Sequence, residues 1–179
     1  FSLKHEGPVA IRYPKGSCKD FTHFIPNGGL DLKQDDIVQW ESLIDGKDCC
    51  ILTFGRMVQT SVEVREILLN EGISIEIINA RVIKPLDRNK MEYLARKHSR
   101  WITLEDNVVQ GGFGSAVDEF IAAEGYNISV LNLGIPDRFI PHGTTDELFT
   151  MLCLDPIGLA RRIRKFLTGF KENVNVKAY

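Results

Sequence analysis

From about residue 37 to residue 167 the chain alternates short apolar runs with segments whose apolar residues recur every three or four positions. Residues 37–44 and 48–54 read as strands separated by a tight turn at Asp45-Gly46, which predicts an antiparallel pair at a sheet edge. A helix is predicted from about Met57 to Asn70, with Val64, Ile67 and Leu68 facing inward and Gly72 as its stop. A strand over 73–78 follows. Asp87 then caps a helix through Lys97 whose inner face is Met91, Leu94 and Ala95, and 101–104 is the next strand. A loop over 105–112 leads into a helix with Phe113, Val117, Phe120 and Ile121 on one face, and 128–133 is the last strand. Thr144 and Glu147 spell a capping box, and Asp155-Pro156 places an N-cap before a proline, so two closing helices are expected.

Strands that are apolar throughout need cover on both faces, and helices that alternate with them supply it. The expected fold is therefore α/β in three layers, α/β/α, around a mostly parallel five-stranded sheet with one antiparallel edge strand. Residues 14–29 carry Pro, Gly, Ser, Asn and charge without a period and read as a linker, which places a domain boundary there. The chain opens on Phe1 and runs straight into the apolar stretch 8–13, which predicts a piece of a longer protein.

Composition narrows the function classes. At 179 residues, 44% hydrophobic and 26% charged, the chain has room for one soluble domain and an attached segment. Lys and Arg number 22 against 24 Asp and Glu, and a net charge of -2 provides no global attraction to nucleic acid or an anionic membrane. No apolar run reaches membrane-spanning length, and the first six residues lack the pattern of a signal peptide. Cys18, Cys49, Cys50 and Cys153 lack the paired spacing of a zinc site and read as reduced core residues, which suits a cytoplasmic protein.

In open parallel sheets, ligands and partners meet the loops that leave the carboxyl ends of the strands. Here those loops are 54–56, 79–86, 105–112 and 134–143. Gly111-Gly112-Phe113-Gly114-Ser115 opens a helix after a strand, and free helix N–H groups attract phosphate. Val117, however, stands where a third glycine belongs, and the next strand carries no ribose-binding carboxylate. The competing reading is close helix packing that needs small residues. Glu105 and Asp106, adjacent at a strand end, point in different directions, which disfavours a metal site and favours a helix N-terminus or a subunit interface. His98 reads as solvated near a helix end. In 136–143, prolines restrict the backbone while Asp137, Arg138, Phe139 and His142 are offered to another surface. Ser115 lacks the surroundings of a nucleophile elbow, and Arg161, Arg162, Arg164 and Lys165 read as a solvated basic helix face.

Several motifs occur together and in order. They are Arg12-Tyr13-Pro14-Lys15-Gly16, Gly55-Arg56-Met57-Val58-Gln59, Asn79 through Lys84-Pro85-Leu86-Asp87, Glu105-Asp106-Asn107 with Gly111-Gly112-Phe113-Gly114-Ser115-Ala116-Val117, and Leu133-Gly134-Ile135-Pro136-Asp137-Arg138-Phe139-Ile140-Pro141-His142-Gly143. From about Pro8 to Leu167 the chain resembles roughly the last quarter of the 1-deoxy-D-xylulose-5-phosphate synthases. The Lys-Pro-Leu-Asp and Gly-Gly-Phe-Gly elements are shared with transketolases and the beta subunits of 2-oxo acid dehydrogenases, whereas the first and last motifs single out the synthases.

The resemblance implies an enzyme that joins pyruvate to glyceraldehyde 3-phosphate with loss of carbon dioxide, using thiamine diphosphate and Mg2+. It implies that residues 1–29 end a preceding pyrimidine-binding domain and its linker, and that 30–179 form a transketolase C-terminal-like domain. The cofactor sites belong to the upstream domains, so this piece is expected to hold no catalytic residue, bind no cofactor and be inactive alone. Lys15 occupies the slot of a family arginine that contacts the substrate phosphate; lysine keeps the charge and loses the bidentate fork. The implied partners are the upstream domains and a second copy in a homodimer, with Glu105, Asp106, Gly111, Gly112, Gly114, Asp137, Arg138, Phe139 and His142 as contact candidates. A stand-alone flavodoxin-like or Rossmann-like module binding a nucleotide at 111–115 is the alternative.

Overall fold

The computed structural model describes residues 6–10 and 39–169. Lys15, Cys18 and the expected boundary at 29/30 lie outside the described residues. Ten elements follow one another: β1 (Glu41–Ile44), β2 (Cys49–Thr53), α1 (Met57–Leu69), β3 (Ile75–Asn79), α2 (Arg88–Lys97), β4 (Arg100–Val108), α3 (Phe113–Glu124), β5 (Ser129–Ile135), α4 (Thr145–Met151) and α5 (Pro156–Thr168). The five strands form one sheet in the order β1-β3-β2-β4-β5. β3, β2, β4 and β5 run parallel, and β1 is antiparallel to β3 at the edge.

The apolar alternation along each strand divides the core in two. Cys49 and Ile51 of β2, Ile102 and Leu104 of β4 and Leu133 of β5 pack with Val64 and Leu68 of α1 and Leu159 and Ile163 of α5. Cys50, Leu52 and Trp101 face the other way, toward Met91 and Leu94 of α2 and Phe113, Val117 and Phe120 of α3. The three expected layers follow from this division. Adjacent Cys49 and Cys50 thus sit on opposite faces and are both buried. Burial, reinforced by the neighbouring charge of Asp48, pushes the Cys49 thiol up to about 12, and burial likewise raises Cys50.

Helix ends match their sequence signals. Asp87 accepts from Lys90 N–H at 2.9 Å, Thr144 and Glu147 form the reciprocal capping box, and Asp155 caps α5 ahead of Pro156. Gly72 takes φ +83° just after α1, a conformation glycine adopts without steric cost.

Three expectations are corrected. β1 does not pair with β2 through a hairpin; β3 lies between them. The chain at Asp45-Gly46 passes tightly across the start of β3. Lys47 and Asp48 N–H groups donate to the Ser74 carbonyl, the Asp48 carboxylate accepts from Ser74 N–H at 2.6 Å, and a Cβ on Gly46 would collide with the backbone of Ile75 and Glu76. β4 continues to Val108, four residues beyond its apolar run, because its polar end pairs with Ile135 of the lengthened β5. His98 is buried, with its Nε2 2.7 Å from Glu76 Oε2. The polar residue that ends α2 is drawn inside because a buried carboxylate waits there.

Candidate functional site

The strand order turns back between β2 and β4: the chain leaves β2 for β3 on one side and then crosses over to β4 on the other. A crevice outside the carboxyl ends of β2 and β4 is therefore the expected place for ligands or partners. Gly55, at φ +59°, turns the chain out of β2 and presents Arg56 at the start of α1. Its guanidinium lies 4.8 Å from the centroid of the Phe149 ring and its Nε lies 3.8 Å from Asp106 Oδ2. Arg56 and Phe149 belong to a shallow cleft shared with Gln59 and Glu63 of α1, Asp146 of α4 and Asp155. Arg56 lies in a strand-end loop and in the Gly55-Arg56-Met57-Val58-Gln59 motif, but neither gives it a role. The available signal is its position directly after β2 at the switch point.

Beside this crevice, β4 alternates its side chains across the sheet, so Trp101, Thr103 and Glu105 point toward α3. Glu105 is fully buried, and its carboxylate accepts hydrogen bonds from Phe113 N–H and Gly114 N–H, both at 2.9 Å. A negative charge meets the positive end of the helix dipole and satisfies two donors that the first turn leaves free. The surrounding glycines make room for it. A Cβ on Gly112 would collide with the Glu105 carboxylate and the Val108 carbonyl, and one on Gly134 would come within 2.9 Å of the Asn107 carbonyl and 3.0 Å of Glu105 Cγ. A Cβ on Gly114 would stand 2.7 Å from Thr103 Oγ1 and 2.8 Å from Asn132 Oδ1. Those two atoms are themselves bonded at 2.7 Å, and Asn132 donates onward to Asp118 at 2.6 Å. Gly111, at φ +71°, is tied by its N–H to Ser115 Oγ, which donates to the Val109 carbonyl.

Of the two readings of the glycine-rich segment, this geometry supports close packing. The amides of α3 that would cradle a phosphate are occupied by Glu105. Glu105 itself has the helix-N-terminal role, while Asp106 beside it is exposed, in keeping with their divergent directions.

The loop after β5 is arranged differently. Asp137, Arg138 and His142 are exposed, and Phe139 is 104% exposed, its ring wholly in water. The basic face of α5 is partly engaged: Arg164 forms a two-pronged pair with Glu71, and Arg161 reaches Cys153 Sγ at 3.2 Å.

The region is recognisable as a family. Residues 39–159 match the family model described as transketolase, C-terminal domain. The chain belongs to this family. It is 42% identical over 162 residues to the 1-deoxy-D-xylulose-5-phosphate synthase of Aquifex aeolicus, covering 90% of the chain and 25% of that protein. It is 41% identical over 174 residues to 1-deoxy-D-xylulose-5-phosphate synthase 1 of Geobacter metallireducens, covering 94% of the chain and 26% of that protein. The chain thus spans about a quarter of the length of the curated relatives it matches. Among solved structures, a split-gene transketolase described as an inactive beta4 tetramer superposes with a TM-score of 0.67 at 32% identity, covering 74% of this chain and 43% of that one. A Pichia stipitis transketolase shares the fold at TM-score 0.54 and 20% identity, over 74% of this chain and 18% of that one.

The residues described do not fit the cofactors that this family implies. No three His, Cys, Asp or Glu side chains among the described residues converge as metal ligands, and the one helix N-terminus in a glycine-rich loop is filled by Glu105. No chemical step is therefore assigned to these residues. No helix among the described residues is long and apolar enough to cross a membrane.

Proposed function

We propose that the chain acts as the C-terminal domain of a 1-deoxy-D-xylulose-5-phosphate synthase, which condenses pyruvate with glyceraldehyde 3-phosphate in the cytoplasm using thiamine diphosphate and Mg2+. The observation that carries this reading is the 42% identity to the Aquifex aeolicus synthase across 90% of the chain. The domain's own part is assembly. Its buried polar groups at the carboxyl edge serve its own helices, and what it offers outward is Phe139 with Asp137, Arg138 and His142. A phenylalanine wholly in water forgoes roughly 1.5–3 kcal/mol of burial, and aromatic and arginine side chains are enriched at protein interfaces. We read this loop as a contact within a homodimer, or with the upstream domains, of the complete enzyme. The neighbour described as an inactive tetramer of one transketolase chain supports a domain that assembles without catalysing. Residues 1–29 then end the preceding domain, and Lys15 contacts the substrate phosphate.

The polypeptide that carries this domain in the cell tests the proposal. Supplied with thiamine diphosphate, Mg2+, pyruvate and glyceraldehyde 3-phosphate, it is expected to release carbon dioxide and form 1-deoxy-D-xylulose 5-phosphate, while the 179-residue chain alone does neither. A folded, cofactor-loaded polypeptide that forms no such product overturns the assignment.

A further inference from the structure

The opposite edge of the sheet holds a cluster with no part in the carboxyl-edge arrangement. Glu76 of β3 is 1% exposed and carries three partners. His98 Nε2 lies 2.7 Å from its Oε2, Lys97 Nζ 2.6 Å from the same oxygen, and Ser42 Oγ of β1 donates to its Oε1 at 3.0 Å. Lys97 also reaches Asp45, just past β1, at 3.3 Å. The groups facing Glu76 are thus Ser42 and Asp45 from the β1 side, Cys50 from its register partner in β2, and Lys97 and His98 from the end of α2.

β1 has little else to hold it. None of its four residues is fully buried, whereas all five of β2 are, and its ladder to β3 slips between Ser42 and Ile44. Fixed points lie at both ends. Trp40 is buried, donates its N–H to Asp87 Oδ2 at 2.7 Å and its indole N–H to the Val82 carbonyl at 2.8 Å; Gly46 is wedged against the β3 backbone. Few apolar contacts and an irregular ladder between two anchors are the marks of a segment that opens locally, well before the domain unfolds.

We propose that β1 is a separately opening flap over the edge of β3, latched by the buried carboxylate of Glu76 through Ser42 and through the Lys97 bridge to Asp45. Opening admits water to the Glu76–His98 pair and frees the backbone groups of β3 that β1 covers, a short apolar edge suited to pairing with another strand. The latch has a pH sign. Burial alone would raise the Glu76 carboxyl, but the bonds from His98, Lys97 and Ser42 and the charge of Lys97 outweigh it and bring it down to about 2. The ionised carboxylate accepts the Ser42 bond and holds Lys97, so the latch acts where Glu76 is charged and weakens as pH falls toward about 2.

Amide exchange by NMR on the 179-residue chain tests this, with protection factors corrected for intrinsic rate. At neutral pH, Glu76→Gln is expected to lower protection of the β1 amides at least tenfold while β2 and β4 keep theirs. Ser42→Ala, which removes only the contact made by the flap itself, is expected to lower it roughly threefold to tenfold on the scale of one lost hydrogen bond. In the unaltered chain, protection of β1 should fall as pH approaches about 2, ahead of the other strands. Unchanged β1 protection in Ser42→Ala, or equal losses in β1, β2 and β4 in both variants, overturns the proposal.

Discussion

Replacing Glu105 tests the physical account of the glycine-rich segment most directly. Glu105→Ala removes a fully buried carboxylate and leaves the N–H groups of Phe113 and Gly114 without acceptors in a dry site. A hydrogen bond to a charged group contributes about 1.5–3 kcal/mol, and a charge at a helix end adds about 0.3–2 kcal/mol. These terms share one carboxylate and do not add fully, so the expected loss is about 3–5 kcal/mol. For a chain of this size that is a fall in Tm on the order of 10 °C. Glu105→Gln keeps the shape and one acceptor oxygen but turns an amide N–H2 toward the second donor, and should cost about 1.5–3 kcal/mol. Urea unfolding at constant slope, followed by circular dichroism, measures both. A Glu105→Ala chain within about 1 kcal/mol of the parent would show that the capping of α3 by this side chain is not what holds the segment.

Three further outcomes follow from the packing of the domain. Gly114→Ala places a methyl 2.7 Å from Thr103 Oγ1 and should cost about 1–3 kcal/mol through overpacking, read by thermal melting, and Gly112→Glu, which adds a second carboxylate against Glu105, should cost more. Cys49 and Cys50, buried and with raised thiol pKa, should resist a water-soluble thiol reagent in the native chain at pH 8 and react only at the rate of unfolding, as peptide mass spectrometry would show; rapid native labelling of either contradicts the core assignment.

Much of this architecture is written in local pattern. The helix starts at Asp87, Thr144 and Asp155 and the stop at Gly72 are read correctly because capping chemistry depends on neighbours a few residues away. The α/β class follows from apolar runs that need two covered faces, and the resemblance to the synthases rests on motifs that survive as linear strings. The string already favours packing at residues 111–115, because Val117 stands where a third glycine belongs and the next strand carries no ribose-binding carboxylate, but it does not show what fills the site. Both a phosphate cradle and a tight helix contact call for glycine, and what decides between them is a carboxylate arriving from β4 to occupy the amides.

The remainder belonged to tertiary structure. Asp45-Gly46 carries a hairpin's signature, yet β3 inserts between β1 and β2, because strand pairing is chosen by contacts some thirty residues apart that no short window records. His98 looks like a solvated helix end until Glu76, twenty-two residues earlier, is brought beside it in the interior. Phe139 is apolar by type and fully exposed in fact, since the loop that carries it leaves the sheet edge beyond the reach of either core. Local chemistry determined which elements form and where they end; the three-dimensional meeting of distant side chains decided which polar groups are buried, because the cost of burying a charge is met only by partners that the fold alone brings within bonding distance.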